Sequence, residues 1–558
     1  MRQTSLMWIL ALILVLPSPA AAQTPHVYSE SIEVRVATVD VVVTDSSGRY
    51  VPNLTRNDFE LFENGQRRDI TSFYEARNQA TGAVTAEGGS PAKTTTAVVA
   101  PEPQPRHIVI FVDSYSLSPF HRQRMRDSVV RFAQEGLRPG DEIMLVSWNH
   151  ELHIAVPFTT DREAVVHGVD ALFGSTSGGF DMERSILERQ IEMELQNAFA
   201  GDNRAGRMLE AYRNSTNFVD HWCEQQSRLL RNLGTDLERI ISTMSASTGR
   251  KALVFVGEHL PMQVGQDMYQ HVDEVFRPYA SLLQNVRFGA LHLRSGGSSQ
   301  IPLQEGLQKT ANTNGVALYM VDPAEPEAQN DAGMKSADSP AEHFMRFSNT
   351  AASFQEMAKA TGGLALLASK NAGLAFDAVA GDLDHYYSLG YRPEGNREAR
   401  AVKVRVERPG LTVRFRREVV VRPLEAEVRD GLAANAFTAP ARNDLDVSLS
   451  FAAQRNKGRR RIILPVTVHI PSAQLSFQGT NDGSAAAIRI LIGAIERKGT
   501  FSAITERRQE IRIATGKPLP AEIEYSVDVE LRRTTQVLSV AVIDETSDAV
   551  GYARAELK

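Results

Sequence analysis

The chain is almost free of cysteine, with Cys223 as the single thiol in 558 residues. A disulfide needs two cysteines, so this chain cannot build a disulfide framework within itself. Its stability must come from hydrophobic cores, which a chain of this length is able to bury. Cys223 lies among helix-forming residues, which favours a buried small apolar side chain over a reactive thiol.

An excess of charge of one sign is also missing. The formal net charge is -6 and charged residues make up 23% of the chain. Proteins that bind nucleic acid usually carry a basic excess or a basic stripe. The composition therefore predicts an ordinary polar surface and no nucleic-acid partner.

Long apolar runs are missing after the N-terminus. Met1 and Arg2 precede the apolar run Leu6–Leu16, and small residues and prolines follow at 17–22. A basic start, a short apolar region and a small-residue end are typical of a secretory signal peptide. We expect cleavage after about Ala22, export to the periplasm, cell surface or medium, and no stable membrane insertion of the mature chain.

Recognisable catalytic motifs are missing as well. The sequence has no Gly-x-Ser-x-Gly, no His-Glu-x-x-His and no Gly-x-x-x-x-Gly-Lys. His150, His153 and His221 fit no metal-ligand spacing, so we expect structural histidines. These observations favour a non-enzymatic protein. Two alternatives stay open, namely a secreted hydrolase whose catalytic residues come from distant segments, and a structural envelope component.

Alternating apolar patterns and turn signals divide the chain into modules. The prediction is a signal peptide, an N-terminal β module, a linker rich in Pro, Gly, Ala and Thr, an α/β domain, a β extension and a C-terminal β-sandwich-like domain. A helical insertion is expected inside the α/β domain, where helix formers dominate. The boundaries are 1–22, 30–75, 76–105, 106–384 with the insertion at about 181–247, 385–422 and 440–558.

The α/β domain begins with a continuous apolar run that ends at Asp113 in a turn rich in hydroxyl groups. A continuous run is typical of a parallel strand that is covered on both faces. Pro119 opens a helix whose apolar residues recur at helical spacing. A carboxylate at the carboxyl end of a parallel strand lies where ligands bind in open α/β sheets.

This strand, turn and helix, and the strand ending at Ser147, resemble a von Willebrand factor type A domain, most closely the divergent version in secreted proteins of Acidobacteria. The phrases Val-Thr-Asp-x-x-Gly from Val43, Ala-Lys-Ala-Thr-Gly-Gly from Ala358 and Tyr-Tyr-x-Leu-Gly-Tyr from Tyr386 also resemble that family. The resemblance implies a Rossmann-like, doubly wound, mostly parallel sheet. It also implies a role in adhesion or protein binding.

The family usually carries a metal-ion-dependent adhesion site, written Asp-x-Ser-x-Ser. Here Tyr115 and Leu117 stand where the two serines belong, so the site is degenerate. The resemblance implies four Mg²⁺ ligands, namely Asp113, Ser116, Thr176 and Glu258. A weak or absent cation site is the expected outcome.

We further expect a protein partner to dock on three loops at this end of the sheet. They are Asp113–Ser118, Ser175–Gly179 and Gly257–Pro261. The helical insertion is a further candidate docking surface, although packing within the domain is the simpler interpretation of its apolar stripes.

Overall fold

A computed structural model describes most of the chain after residue 36. The described residues are 37–76, 105–174, 178–200, 202–245, 247, 249–289, 299–324, 339–367, 372–394, 399–420, 423–437, 443–480, 483–496, 504–533 and 536–557. The predicted signal peptide, almost all of the predicted linker and Thr176 lie outside them. Within the described residues, no helix has both the length and the apolar content needed to cross a membrane.

The N-terminal module forms four strands. They are β1 Ala37–Thr44, β2 Phe59–Glu63, β3 Gln66–Arg68 and β4 Ile70–Ala76, with a 3₁₀ turn at Arg56–Asp58 before β2. Asn64 and Gly65, both at positive φ, form the tight turn between β2 and β3. This agrees with the preference of such hairpins for Asn-Gly.

The α/β domain has six strands in one sheet. They are β5 Arg106–Asp113, β6 Glu142–Trp148, β7 Leu152–Thr159, β8 Arg250–Val256, β9 Val316–Asp322 and β10 Ala365–Leu367. Their order is β10-β9-β8-β5-β6-β7, and every pairing is parallel except that of β7 with β6. The predicted α/β fold with a mostly parallel sheet is confirmed at this level.

In the described residues of the α/β domain, eight helices accompany this sheet. They are α1 Pro119–Arg131, α2 Arg162–Leu172, α3 Gly179–Ala198, α4 Arg204–Thr243, α5 Gln266–Phe276, α6 Ile301–Asn314, α7 Pro340–Thr361 and α8 Ala372–Asp384. A π-helical turn, Phe132–Gly136, extends α1, and a 3₁₀ segment, Arg277–Leu282, follows α5. Asp161 caps α2 by accepting from two backbone N–H groups.

The two faces of β5 explain its continuous apolar run. Val109 and Phe111 face one core together with α3 to α7, whereas Ile108, Ile110 and Val112 face a second core with α1, α2 and α8. Successive strand residues point to opposite faces, so a strand covered on both sides has no polar alternation. The sheet is therefore doubly wound.

The helices α3 and α4 lie in the range where the sequence predicts an inserted hairpin. The 40 residues of α4 span about 60 Å at 1.5 Å per residue. Gly234 does not interrupt α4; a Cβ there would lie 1.9 Å from Leu303 Cδ1 of α6, so the glycine allows the two helices to approach closely.

The chain then returns to the N-terminal strands. Strands β11 Tyr386–Tyr391, β12 Ala399–Val406, β13 Thr412–Phe415 and β14 Glu418–Val420 complete two four-stranded sheets, β13-β1-β11-β4 and β14-β12-β2-β3. The two sheets share one core. Sequence patterns predict residues 30–75 and 385–422 as separate modules, whereas their strands form one unit. The chain leaves this unit after β4 to form the α/β domain and returns to it at β11.

The C-terminal region begins with a helix, α9 Leu424–Phe437, which lies between the predicted β extension and the predicted C-terminal domain. Nine strands follow: β15 Ser448–Phe451, β16 Arg455–Lys457, β17 Arg461–Pro471, β18 Gln478–Thr480, β19 Gly483–Glu496, β20 Thr505–Ala514, β21 Glu522–Arg532, β22 Gln536–Asp544 and β23 Val550–Leu557. A 3₁₀ turn, Ser472–Gln474, lies between β17 and β18. The strands form two antiparallel sheets that share a core, and α9 packs on one of them.

Candidate binding face at the switch point of the sheet

The strand order reverses between β5 and β8. From β5 the chain adds β6 and β7 on one side of the sheet, and then β8, β9 and β10 on the other. In open α/β sheets, ligands bind outside the carboxyl ends of the strands at such a reversal. Asp113 ends β5 and Gly257 follows β8, so the predicted loops Asp113–Ser118 and Gly257–Pro261 flank this point.

Asp113 is buried and serves as the hydrogen-bond hub of its turn. Its Oδ1 accepts from the backbone N–H groups of Tyr115 at 3.1 Å and Ser116 at 3.3 Å, and its Oδ2 accepts from Ser116 Oγ at 2.6 Å. Burial raises the pKa of Asp113 to about 7, with a smaller contribution from the negative charge of Glu258. The helix cap is Ser118, whose Oγ accepts from Phe120 N.

Glu258 ties the two loops together. Its Oε1 accepts from Ser118 N at 2.9 Å and lies 2.8 Å from His121 Nδ1, while its backbone N–H donates to Ser116 Oγ at 3.1 Å. Glu258 therefore connects the loop after β5 to the loop after β8 through hydrogen bonds.

Gly257 permits the close approach of these loops. A Cβ at this position would lie 2.9 Å from Phe255 Cε1 and 3.1 Å from Asp113 Cβ. The next residue but one, His259, stacks on Phe180 with ring centroids 3.8 Å apart. Burial lowers the pKa of His259 to about 3, so this imidazole is neutral at physiological pH.

Tyr115 connects the turn to the helical insertion. Its hydroxyl donates to Glu183 Oε2 on α3 at 2.9 Å and accepts from Gln226 Nε2 on α4 at 2.7 Å. The side chain is buried, with its ring at right angles to Trp148. Tyr115, which stands where the family motif has a serine, therefore holds the inserted helices against the sheet. The other replacement, Leu117, is buried in the core under α1.

Asp322 is a third carboxylate at this edge, and sequence reasoning did not single it out. It ends β9, next to β8, and its Oδ1 accepts from Ala324 N at 2.9 Å. Burial, reinforced by the negative charge of Glu258, raises its pKa well above the usual range. The available signal was an aspartate at the end of a predicted core strand.

The predicted metal ligands make hydrogen bonds within the loops in this arrangement, and their role in holding a cation stays a prediction. Both oxygens of Asp113 and the hydroxyl of Ser116 are engaged within the loops, and Glu258 Oε1 binds Ser118 N. In the described part of the chain, the group with three His, Cys, Asp or Glu ligand atoms within 4.8 Å of one another lies elsewhere. Thr176 lies outside the described residues, so its predicted role stays a prediction.

Large apolar side chains are exposed at this end of the molecule. Phe120, at the start of α1, is 61% exposed. On α3, Met182, Ile186 and Met193 are 64%, 41% and 59% exposed. At 100° per residue they lie within about 40° of one another around the helix, so they form one stripe, which we call the α3 stripe.

The α3 stripe begins beside the switch-point loops. Phe180 N donates to the Tyr115 carbonyl at 3.1 Å, and a Cβ on Gly178 would lie 2.7 Å from Pro119 Cδ. The described end of the loop Ser175–Gly179 therefore contacts the loop Asp113–Ser118, as expected for loops at one end of the sheet.

A separate polar cluster lies on the C-terminal sheet. Ser450 Oγ is 2.6 Å from His469 Nε2, and His469 Nδ1 is 3.2 Å from Glu522 Oε2. These residues come from β15, β17 and β21, neighbours in one sheet. His469, Glu522 and Glu524 form the group whose potential ligand atoms lie within 4.8 Å of one another.

No protein-family model matches the sequence, and no curated protein matches it. Three solved structures are similar to parts of the chain. They are an aerotolerance-related membrane protein from Bacteroides fragilis, the von Willebrand factor domain of the type V pili tip protein Mfa5 from Porphyromonas gingivalis, and a von Willebrand factor type A protein from Catenulispora acidiphila.

The first two resemblances cover 50% of this chain and 98% and 94% of the solved chains, at 10% and 12% identity. The third covers 81% of this chain and 66% of the other, at 9% identity. The TM-scores are 0.23, 0.24 and 0.22. Similarity at this level carries no inference for this chain, whose fold class rests on its own strand order.

Proposed function

We propose that the chain is an exported, non-enzymatic protein that binds a protein partner at the switch-point end of a type A-like domain. The supporting features are the doubly wound sheet, with Asp113 at the end of its first strand, and the signal-peptide pattern at residues 1–22. The partner surface combines the edge of the switch-point loops at Phe120 with the α3 stripe.

The observation that carries this proposal is the exposure of large apolar side chains beside the switch point. Met182 and Met193 are each more than half exposed, although both belong to a helix that buries Leu187 and Ile191 on its other face. Large apolar side chains exposed together on one helix face of a soluble protein are candidate interaction sites. Methionine suits such a surface because its flexible thioether adapts to different partners.

Partner binding in this proposal does not depend on a cation. The proposed degeneracy of the adhesion site is supported by the inward positions of Tyr115 and Leu117 and by the hydrogen bonds that Asp113, Ser116 and Glu258 make within the loops. The buried turn serves as the rigid base on which the exposed loop edge and α3 rest.

Capture of partners by the mature chain tests the proposal. Residues 23–558, immobilised through a C-terminal tag, are incubated with envelope and secreted proteins of the source organism. We expect the double variant Met182→Glu, Met193→Glu to lose a partner that the unchanged protein retains. Leu519→Glu is the matched control because Leu519 is 44% exposed outside the α/β domain. Equal capture by all three proteins would rule out the α3 stripe.

A hydrolase is the second candidate, and the cluster Ser450–His469–Glu522 is the observation that favours it. A hydroxyl within hydrogen-bond reach of an imidazole that a carboxylate orients is the arrangement of an activated nucleophile. Against it, Ser450 is exposed on a sheet face, and neither of the two described cavities is lined by these residues. Hydrolysis of p-nitrophenyl acetate that disappears in Ser450→Ala would establish this candidate; equal rates would exclude it.

A further inference from the structure

A cavity of about 440 Å³ lies at the opposite end of the α/β sheet from the switch point. Its walls come from the double-sheet unit, from the amino ends of β8 and β9, and from α9. Thr38 and Tyr386 line it from the double-sheet unit, and Arg250 and Gly315 line it from the amino ends of β8 and β9. Glu427 lines it from α9. A volume of this size is typical of a small-molecule site, and such sites occur preferentially where domains meet.

The guanidinium group of Arg250 is buried in this cavity wall, near the hydroxyl of Tyr319 and the carboxylate of Asp40. The residue is 7% exposed, and its Nε and Nη1 have no hydrogen-bond partner among the described residues. The ring of Tyr386 covers one face of the guanidinium, with Cζ 4.3 Å from the ring centroid. A cation–π contact leaves the in-plane N–H groups unsatisfied, and unpaired buried N–H groups are costly.

Arg416 approaches the same cavity from the double-sheet unit. Its Nη2 donates to the carbonyl of Thr38, but its Nε also has no partner among the described residues. A third cation, Lys251, donates to the carbonyl of Met244 at 3.1 Å. The lining therefore presents two guanidinium groups with unused N–H donors.

The negative charge of Asp40 acts on both guanidinium groups, yet Arg250 Nε and Nη1 and Arg416 Nε have no hydrogen-bond acceptor among the described residues. Asp40 accepts from Ser388 Oγ at 3.0 Å, and Glu427 lies on α9. Three cationic and two anionic side chains line the cavity, so one positive charge stays uncompensated within the lining.

We propose that this cavity binds a small molecule through an anionic oxygen group, a carboxylate or a phosphate, held by Arg250 and Arg416. Planar guanidinium groups match the geometry of both oxyanions, and hydrogen bonds between charged groups are the strongest that proteins make. A bound oxyanion would satisfy the buried Nε and Nη1 donors. It would also couple the double-sheet unit to the α/β domain, because Arg416 and Arg250 belong to different units.

Calorimetric titration of the mature chain with sodium phosphate and, separately, sodium citrate tests this site, at constant ionic strength set with chloride. We expect binding of one of the two anions, weakened about tenfold or more in Arg250→Gln and in Arg416→Gln. Arg512→Gln, an exposed change on β20, should bind like the unchanged protein. Binding of citrate alone identifies an organic carboxylate, and binding of phosphate alone identifies a phosphate.

Two results would overturn the proposal. One is no binding heat with either anion, and the other is equal binding by the unchanged protein and Arg416→Gln. The fluorescence of Trp148 and Trp222 reports whether Arg250→Gln folds. If it does not fold, anion binding by Arg416→Gln alone tests the proposal. The variants lie at the opposite end of the sheet from the α3 stripe, so partner capture and anion binding can fail independently.

Discussion

Replacing Asp113 with Asn should change how the stability of the α/β domain depends on pH. The folded-state pKa of Asp113 is raised, to about 7, above the ordinary value of 3.8. The folded chain therefore keeps a proton that the unfolded chain releases between these values. Stability from this group is fully present below about pH 4 and is lost as pH rises to about 7.

The magnitude follows from the pKa difference. One pKa unit corresponds to 1.36 kcal/mol, and Asp113 is only half protonated in the folded chain at pH 7, so the free energy of unfolding should fall by roughly 2 kcal/mol between pH 5 and pH 7 because of Asp113 alone. The asparagine has no proton to lose. Between pH 5 and pH 7, the unchanged protein should therefore lose roughly 2 kcal/mol of unfolding free energy relative to Asp113→Asn. Above about pH 8 the difference between the two proteins should stay constant.

Denaturant unfolding at pH 5, 6, 7 and 8 measures this difference. Trp148 and Trp222 are the tryptophans outside residues 1–22, and both lie in the α/β domain, so fluorescence of the mature chain reports this domain. Asp322 and His259 titrate in both proteins, and their contributions largely cancel in the difference. A difference that does not vary between pH 5 and 8 would refute the buried, protonated state of Asp113.

Three further changes test the packing around the site and between distant segments. Tyr115→Phe should destabilise the α/β domain by about 1 kcal/mol, measured by tryptophan fluorescence, because it removes the hydroxyl that bonds to both inserted helices while Gln226 Nε2 still donates to Glu183 Oε2. Gly257→Ala should cost about 1–3 kcal/mol through overpacking, whereas Gly381→Ala, in open space on α8, should stabilise by up to about 1 kcal/mol; equal effects would contradict this. Glu63→Gln removes the buried carboxylate that pairs with the buried guanidinium group of Arg400 and should cost about 3–5 kcal/mol by circular dichroism, against under about 1 for the exposed-pair control Glu60→Gln.

Much of the α/β domain follows from local sequence patterns. The unbroken apolar run before Asp113 predicts a strand covered on both faces, and β5 is buried along its whole length. The same pattern places Asp113 at the carboxyl end of the sheet. Asp161 as the cap of α2 follows from ordinary capping chemistry.

The pairing of β1 with β11 could not be predicted in this way. Val39 pairs with Leu389 across about 350 intervening residues, and alternation within each strand does not encode which distant strand completes the sheet. The two segments consequently look like independent modules until their shared core is seen.

The role of Glu258 was also beyond sequence reasoning. The residue type indicates a carboxylate after β8, but its hydrogen bond to Ser118 depends on how closely Gly257 lets the two loops approach. Tyr115 is similar, because its partners lie on helices 68 and 111 residues further along the chain. Long side chains reach partners that spacing along the chain does not reveal.

The most direct test of the central claim is partner capture with and without a chelator. Three proteins are each assayed twice, once in about 5 mM magnesium and once in excess EDTA. They are the mature chain, the double variant Met182→Glu, Met193→Glu and the control Leu519→Glu. We predict that the mature chain and the Leu519→Glu control retain the captured partner in EDTA, and that only the double variant of α3 loses it. A partner released by EDTA but still bound by the α3 variant would contradict it.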